Sequence, residues 1–301
     1  MKETKNHAFA GTVIIIAFIT SVYFYQQALV APDNFPTGTT FTINENESLK
    51  SISNRLEALG YIHSPLLFRL GISYLGKERS IQLGGYIFEK PLTLLGMVET
   101  FVKGRPTVPL LSTTIPEGST SFEVASLVAK VLPSLSIDTF GEIISKYQAD
   151  GKLFPSTYFL LPSYTEEDIV KLMLLTFVKK TQPIIAEAKI LPPLVGENDV
   201  LVLASILEGE AKTEEDMKII AGILLTRLTI GMPLQVDVAK ETYTMKGLPG
   251  MPINNPGLIA INAVLHPITT QYLYYITGND GKMYYAKTFD EHKRNIKKYL
   301  K

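Results

Sequence analysis

Leu201-Val202-Leu203-Ala204-Ser205-Ile206-Leu207-Glu208-Gly209-Glu210 is an apolar run closed by two acids. A helix that is apolar on every side is a core helix, so the stretch predicts a helix from Asn198 to about Ala211 within a folded domain. On it Leu201, Ala204 and Ser205 share a face with Glu208. The Glu208 carboxyl therefore sits over a largely apolar surface, which raises its pKa and keeps a proton available near neutral pH, as a general acid needs. Glu210 is two residues on, at about 100° per residue. It points to nearly the opposite side and cannot share a substrate with Glu208 unless the helix ends at Gly209. The competing reading is a solvated helix end, with Gly209 part of the C-terminus, since glycine inside a helix costs about 1 kcal/mol.

Downstream, a helix is predicted from Thr213 to Ile230 and another starting at Asn255-Pro256. A hairpin follows, Tyr272–Thr277 and Lys282–Lys287 across Gly278-Asn279-Asp280-Gly281, then a terminal helix capped by Thr288 with Glu291 at the capping-box position. Upstream, Pro192 and Pro193 break the chain after a helix that Thr165 caps with Asp168 and that runs to about Lys180. Nearer the amino terminus the pattern gives a strand Thr40–Ile43, then a helix capped by Ser48 with Leu49, Ile52, Leu56 and Leu59 at helical spacing and Gly60 as stop. Further elements are a helix from Pro65 to about Leu75, a strand Gly85–Phe88, and a helix from about Leu92 to Val102 stopped by Gly104 and Pro106. A second strand, turn and helix begins at Thr113. There Thr114-Ile115-Pro116-Glu117 echoes Thr42-Ile43-Asn44-Glu45, and Val124 and Val128 fall at the offsets of Ile52 and Leu56. Other positions disagree, with Phe122 opposite Lys50 and Ser121 opposite Leu49, so the repeat is weak, and two copies fall short of a solenoid.

Ala8 to Tyr25 carries no charge, close to the roughly 20 residues that span a bilayer core. Lys2 and Lys5 precede it and Asp33 is the first charge after it, so the expected orientation leaves the terminus in the cytoplasm and exports everything after about Ala31. A retained anchor is favoured over a cleaved signal peptide because bulky Leu29 stands where cutting after Ala31 wants a small residue. A buried core helix is weaker, since the stretch has no polar face. Lys+Arg and Asp+Glu both number 29 in the 301 residues, so no basic excess draws the chain to nucleic acid. With no cysteine, disulfides, thiol chemistry and thiolate metal sites are excluded, and four scattered histidines do not suggest a metal centre. There is no P-loop, H-E-x-x-H, G-x-S-x-G or dinucleotide fingerprint. Carboxylate chemistry remains.

Several separated motifs resemble one family, the YceG-like (MltG) endolytic murein transglycosylases. Ala204-Ser205-Ile206-Leu207-Glu208-Gly209-Glu210 resembles its A-S-I-[VI]-E-x-E signature, whose first glutamate is the catalytic residue. Ile220–Leu228, Gly231-Met232-Pro233-Leu234-Gln235-Val236-Asp237, Gly247-Leu248-Pro249, Asn255-Pro256-Gly257, Tyr272-Leu273-Tyr274, Lys287-Thr288, His292 and Asn295 follow in the family's order. Ile115-Pro116-Glu117-Gly118 and Leu153-Phe154-Pro155-Ser156-Thr157-Tyr158 are similar as well. One departure is the segment Val238–Lys246, shorter than the family's, which carries D-P-T and N-T-Y; Asp237 and Thr242-Tyr243 are the remnants. Another is Pro249-Gly250-Met251 in place of Pro-Pro-Gly.

The resemblance implies an α+β fold: a single N-terminal transmembrane helix, a small LysM-like α/β subdomain and a larger mixed α/β catalytic domain. The expected boundaries are a cytoplasmic tail at 1–7, the anchor at 8–28, a linker at 29–40, the LysM-like part at 41–106 and the catalytic domain at 107–301. It implies endolytic cleavage of the bond between N-acetylmuramic acid and N-acetylglucosamine in nascent strands, leaving 1,6-anhydro ends and ending strand elongation. Glu208 would be the single acid and base, with no cofactor and no metal. Gln235, Asp237, Asn255 and Glu210 would hold the sugar. Against that, Asn255 is an expected N-cap, Gln235 and Asp237 are possible loop organisers, and hairpin tyrosines such as Tyr274 and Tyr275 pair across strands as readily as they stack on sugars. Implied partners are peptidoglycan strands and cell-wall synthases (penicillin-binding proteins) at the inner membrane. The rival readings are a non-catalytic membrane-anchored peptidoglycan-binding scaffold for those synthases, and a hydrolase using a distant acid such as Asp237 as base.

Overall fold

The computed structural model describes residues 2–44, 47–78 and 81–300, with side chains of the first helix described from Ile14 onward. Among the described residues the chain forms eleven α-helices, one 3-10 turn and three two-stranded sheets, a mixed α and β fold. Contacts divide it into two compact units, Met1–Leu111 and Ser112–Lys301.

In the first unit α1 runs Lys2–Leu29, with Ile14, Ile15, Ile16, Phe18 and Ile19 exposed. Among the described residues, no helix is long and apolar enough to cross a membrane. Strand β1 (Thr40–Ile43) pairs antiparallel with β2 (Gly84–Ile87), Thr40 opposite Ile87 and Ile43 opposite Gly84. Between them lie α2 (Leu49–Ala58) and α3 (Pro65–Tyr74), and α4 (Leu94–Lys103) follows. The caps are those the sequence predicts at Ser48, whose side chain accepts the Ser51 N–H, and at the chain-reversing Gly104 (φ +58°). Every second residue of β1 and the apolar stripes of the helices converge on one core, in which the Phe101 ring touches Phe41, Phe68, Tyr86 and Phe88. Gly84, at φ +150°, is required there: a Cβ would fall 2.3 Å from the Pro106 ring.

The second unit repeats the opening device. Strand β3 (Leu111–Thr114) turns into α5 (Ser121–Val131), as β1 turns into α2, and the matched positions Ile43 and Ile115, Ile52 and Val124, Leu56 and Val128 are all buried. The echo thus exists at the level of packing; its fourth residue in the first copy, Glu45, lies outside the described residues. A helix the sequence reading leaves out, α6 (Ile137–Tyr147), is capped by Ser136 and buries Phe140 and Ile144. Strand β4 (Thr157–Leu160) pairs with β3. Helix α7 (Glu166–Glu187) starts with the expected Thr165 and Asp168 box but continues past Lys180 and through Pro183, because Ile184 and Ile185 pack on the core.

Helix α8 (Glu197–Glu210) is the centre of this unit, with every residue from Val200 to Leu207 buried. It packs against α9 (Glu214–Thr229) and α10 (Leu258–Leu265), whose Ile220, Ala221, Leu224, Ala260, Ile261 and Val264 share its core. Each buried Ile, Leu and Val side chain among them contributes about 1.5–3 kcal/mol by leaving water. A 3-10 turn, Lys240–Tyr243, fills the shortened segment. The hairpin β5 (Tyr274–Thr277) and β6 (Met283–Ala286) leads to α11 (Phe289–Tyr299) with the Thr288 and Glu291 capping box. Helix α10 begins three residues later than expected, and its N-cap is Gly257 rather than Asn255.

Candidate active site

The last turn of α8 carries both acids, and what surrounds them arrives from distant loops. Ser205 fastens the first loop: its Oγ accepts the Ile253 N–H at 3.1 Å, and its carbonyl accepts Asn254 Nδ2 at 2.9 Å. That pins residues 253–257 along the helix and brings the Gly257 N–H to Glu208 Oε2 at 2.9 Å. Asn255, fully buried, then ties in two more loops. Its Oδ1 accepts the Leu153 N–H at 2.8 Å, and its Nδ2 donates to the Ser119 carbonyl at 2.8 Å. The backbone adds Gly118 N–H to the Asn255 carbonyl and Asn255 N–H to the Ser119 carbonyl, both 2.9 Å.

This corrects the expectation for Asn255. Both ends of its amide are occupied inside the protein, and the cap of α10 is Gly257 rather than Asn255. It joins the three segments around Glu208. Glu208 itself is half-buried, and burial pushes its carboxyl above the usual carboxylate range; the Gly257 N–H opposes that shift and the charge of Glu117 adds to it. Glu117 lies in the same Ile115–Gly118 turn whose Gly118 (φ +74°) rests against Glu208 Cγ. Sequence reasoning quoted this turn as a motif but gave Glu117 no role.

Glu210 turns into a separate cleft of about 560 Å³ that it lines with Arg227, Gln235, Asp237, Tyr243, Tyr274, Tyr275 and His292. Its Oε2 accepts Tyr275 OH at 3.2 Å and its Oε1 the Val238 N–H at 3.4 Å, and burial again raises its pKa. Asp237 accepts Tyr243 OH at 2.8 Å. Gln235 holds a left-handed backbone (φ +50°) with its side chain exposed. Arg227 is buried under the Tyr274 ring, its Nε donating to the Leu273 carbonyl at 2.7 Å and Nη1 to that of Leu234 at 2.5 Å. Three of the expected residues, Glu210, Gln235 and Asp237, therefore share one cleft, and Glu208 does not line it. Val238 packs so close over Gly209 that a Cβ there would fall 2.7 Å from Val238 Cγ1.

The shortened segment is tight: Thr242 Oγ1 accepts the Val236 N–H at 3.0 Å and donates to the Ala239 carbonyl at 2.6 Å. Of the hairpin tyrosines, Tyr274 and Tyr275 face the cleft, whereas Tyr272 stacks on Tyr285 and Tyr284 on Tyr299. His292 stacks on Tyr274 at 5.3 Å, with burial and the Arg227 charge lowering its pKa, and Asn295 Nδ2 donates to the Tyr285 carbonyl. Among the described residues no His, Asp and Glu cluster has the makings of a metal centre.

A half-buried carboxylic acid held by one backbone amide, with an acid- and tyrosine-lined cleft around the helix end, defines a protein equipped for proton transfer to and from a polar substrate. The chain belongs to the YceG-like family, whose model matches residues 41–240 and 241–298. It is 26% identical over 333 residues to the endolytic murein transglycosylase of Bacillus subtilis, covering 94% of this chain and 91% of that protein. The endolytic murein transglycosylase of Streptococcus pneumoniae is also 26% identical, over 92% of this chain and 61% of its own length. The crystal structure of a yceG-like protein from Listeria monocytogenes superposes with a TM-score of 0.55 at 23% identity, covering 85% of this chain and 98% of that one, which establishes the fold.

Proposed function

We propose that this chain is an endolytic murein transglycosylase with Glu208 as acid and then base. The observation that carries the reading is the Glu208 carboxyl, lifted toward its protonated form by burial and held by the Gly257 amide at 2.9 Å. The names of the curated relatives support it. Glu208 protonates the oxygen between N-acetylmuramic acid and N-acetylglucosamine, the C1–O bond breaks, and the resulting carboxylate takes the proton of the C6 hydroxyl as that oxygen closes onto C1. Water is not consumed, so the second carboxylate of ordinary glycosidases is not required for a nucleophile. Glu210, Gln235 and Asp237, with Tyr243 beside them, bind sugar units beyond the one being cut. From the segment Val238–Lys246, Tyr243 contributes to that cleft.

In the same reading α1 is a single-pass anchor in the inner membrane, with its N-terminus in the cytoplasm and the remainder outside. The uncharged run Ala8–Tyr25 and the exposed apolar side chains from Ile14 to Tyr25 support it. The strand-helix-helix-strand order of β1, α2, α3 and β2 supports a LysM-like, glycan-recruiting part near that anchor, where cell-wall synthases supply new strands. Mass spectrometry of glycan strands treated with the purified protein tests the reaction: anhydro-muramic ends are expected. Reducing ends carrying water would replace this reading with hydrolysis, and product formation undiminished in Glu208→Gln would remove Glu208 from its role.

A further inference from the structure

The turn ahead of α5 brings a second acid to Glu208. The Glu117 carboxyl lies directly against Gly257, where a Cβ would fall 2.1 Å from Glu117 Oε1 and 2.4 Å from its Cδ. Glu208 accepts the N–H of that same glycine. Two carboxylates therefore converge on one residue, one at its Cα and the other at its amide.

Their proximity is built in. The paired 2.9 Å backbone bonds between Gly118, Ser119 and Asn255 fix the turn to the segment that holds Glu208, and Ser119 Oγ closes the turn on the Pro116 carbonyl at 2.8 Å. Among the described residues Glu117 accepts no hydrogen bond and forms no ion pair. Lys130 and Glu123 of α5 line the same groove as Glu117 without pairing with it, and a carboxylate beside another carboxylate disfavours the doubly charged state.

We propose that Glu117 is the second carboxylate of the reaction centre, a positioning residue whose charge, held across Gly257 from Glu208, keeps the proton on Glu208 until a glycan arrives. The proposal rests on the transglycosylase reading and deepens it, since the one-acid chemistry then depends on a pair. The other groups facing Glu208 add no charge: the segment before α10 presents backbone, and Glu210 on α8 itself turns into the other cleft. Burial is the first cause lifting the Glu208 pKa, and the Glu117 charge adds to it. Once Glu208 has given its proton to the bridging oxygen, repulsion from Glu117 makes it a stronger base toward the C6 hydroxyl. The proton that leaves Glu208 with the sugar oxygen is replaced from that hydroxyl, and Glu117 neither gains nor loses one.

The test is the pH profile of kcat/KM for the full chain, with Glu117→Gln and Glu117→Asp beside it. Glu208 must be protonated to start the reaction, so its titration marks the alkaline limb. Glu117→Gln moves that limb to lower pH, a loss of roughly three- to tenfold on the alkaline side with the acid side unchanged, and Glu117→Asp restores it. A uniform loss with the limb unmoved would overturn the proposal, because a structural or substrate-binding role predicts that pattern. NMR titration of the Glu208 carboxyl gives a readout independent of turnover. A downward shift in Glu117→Gln supports the coupling even if no anhydro ends are released and the transglycosylase reading fails; an unmoved titration overturns the coupling in either case.

Discussion

Glu208 and Glu210 are the same residue on the same helical turn, and burial raises the pKa of both. Their surroundings differ in kind. Among the described residues Glu208 accepts one hydrogen bond, from a backbone amide, and faces Glu117. Glu210 accepts two, from Val238 N–H and Tyr275 OH, inside a cleft shared with Asp237 and Arg227. Two residues of helical rotation are enough to hand identical side chains to different parts of the fold. A lightly held acid next to another acid suits proton exchange. An acid held by a tyrosine and an amide suits holding a ligand in place.

The sharpest way to break that contrast is to neutralise each acid in turn. Glu208→Gln should cut the release of anhydro ends by at least about 100-fold, while Glu210→Gln mainly raises KM; equal losses in kcat would erase the distinction. Removing what assembles the Glu208 side comes next. Asn255→Ala leaves the Leu153 N–H without its side-chain acceptor and costs about 1–3 kcal/mol, measured by denaturant unfolding. A change within about 0.5 kcal/mol would mean that the loops hold together without it.

Gly209→Ala probes the boundary between the two sides. The new methyl pushes Val238 away, and its better helix propensity, worth about 1 kcal/mol, offsets much of the crowding. Stability should therefore change little while KM rises, because Val238 also donates its N–H to Glu210; an unchanged KM would detach Val238 from the cleft. The smallest effect is on stability with pH. Because the folded state raises the Glu210 pKa, it binds that proton more tightly than the unfolded chain, so Glu210 costs stability as pH rises from the unfolded value of about 4.3 through the folded one. Relative to wild type, the Tm of Glu210→Gln should therefore rise as pH increases above the unfolded value of about 4.3, and a constant difference would contradict the burial argument.

Local signals predicted most of the elements. Ser48, Thr165 with Asp168 and Thr288 with Glu291 cap the helices the spacing predicts, and β1 runs over the residues expected, Thr40–Ile43. Helix α6 was missed although Ser136, Phe140 and Ile144 carry its signal, because Gly141 and a mostly polar exposed face blur so short a pattern. The Glu208 environment was legible as far as the helix itself could show it, namely burial and a raised pKa. Its partners were not. Glu117, Gly257 and the buried amide of Asn255 meet Glu208 through contacts between far-separated parts of the chain, and no periodicity encodes those. Asn255 was misread for the same reason: before Pro256-Gly257 its local signature is that of a cap, and tertiary hydrogen bonds overrode it.

The Asn255 clamp also has a consequence for the order in which the protein comes into being. The acid at 208 leaves the ribosome before the amide at 257 that holds it, and the turn at 116–119 waits for Asn255 longer still. A chain growing from its amino terminus therefore carries every acid of the centre while lacking the segment that joins them. Nascent or truncated molecules ending before Gly257 lack the contacts that assemble this centre, so it takes shape only once the chain has grown past that glycine.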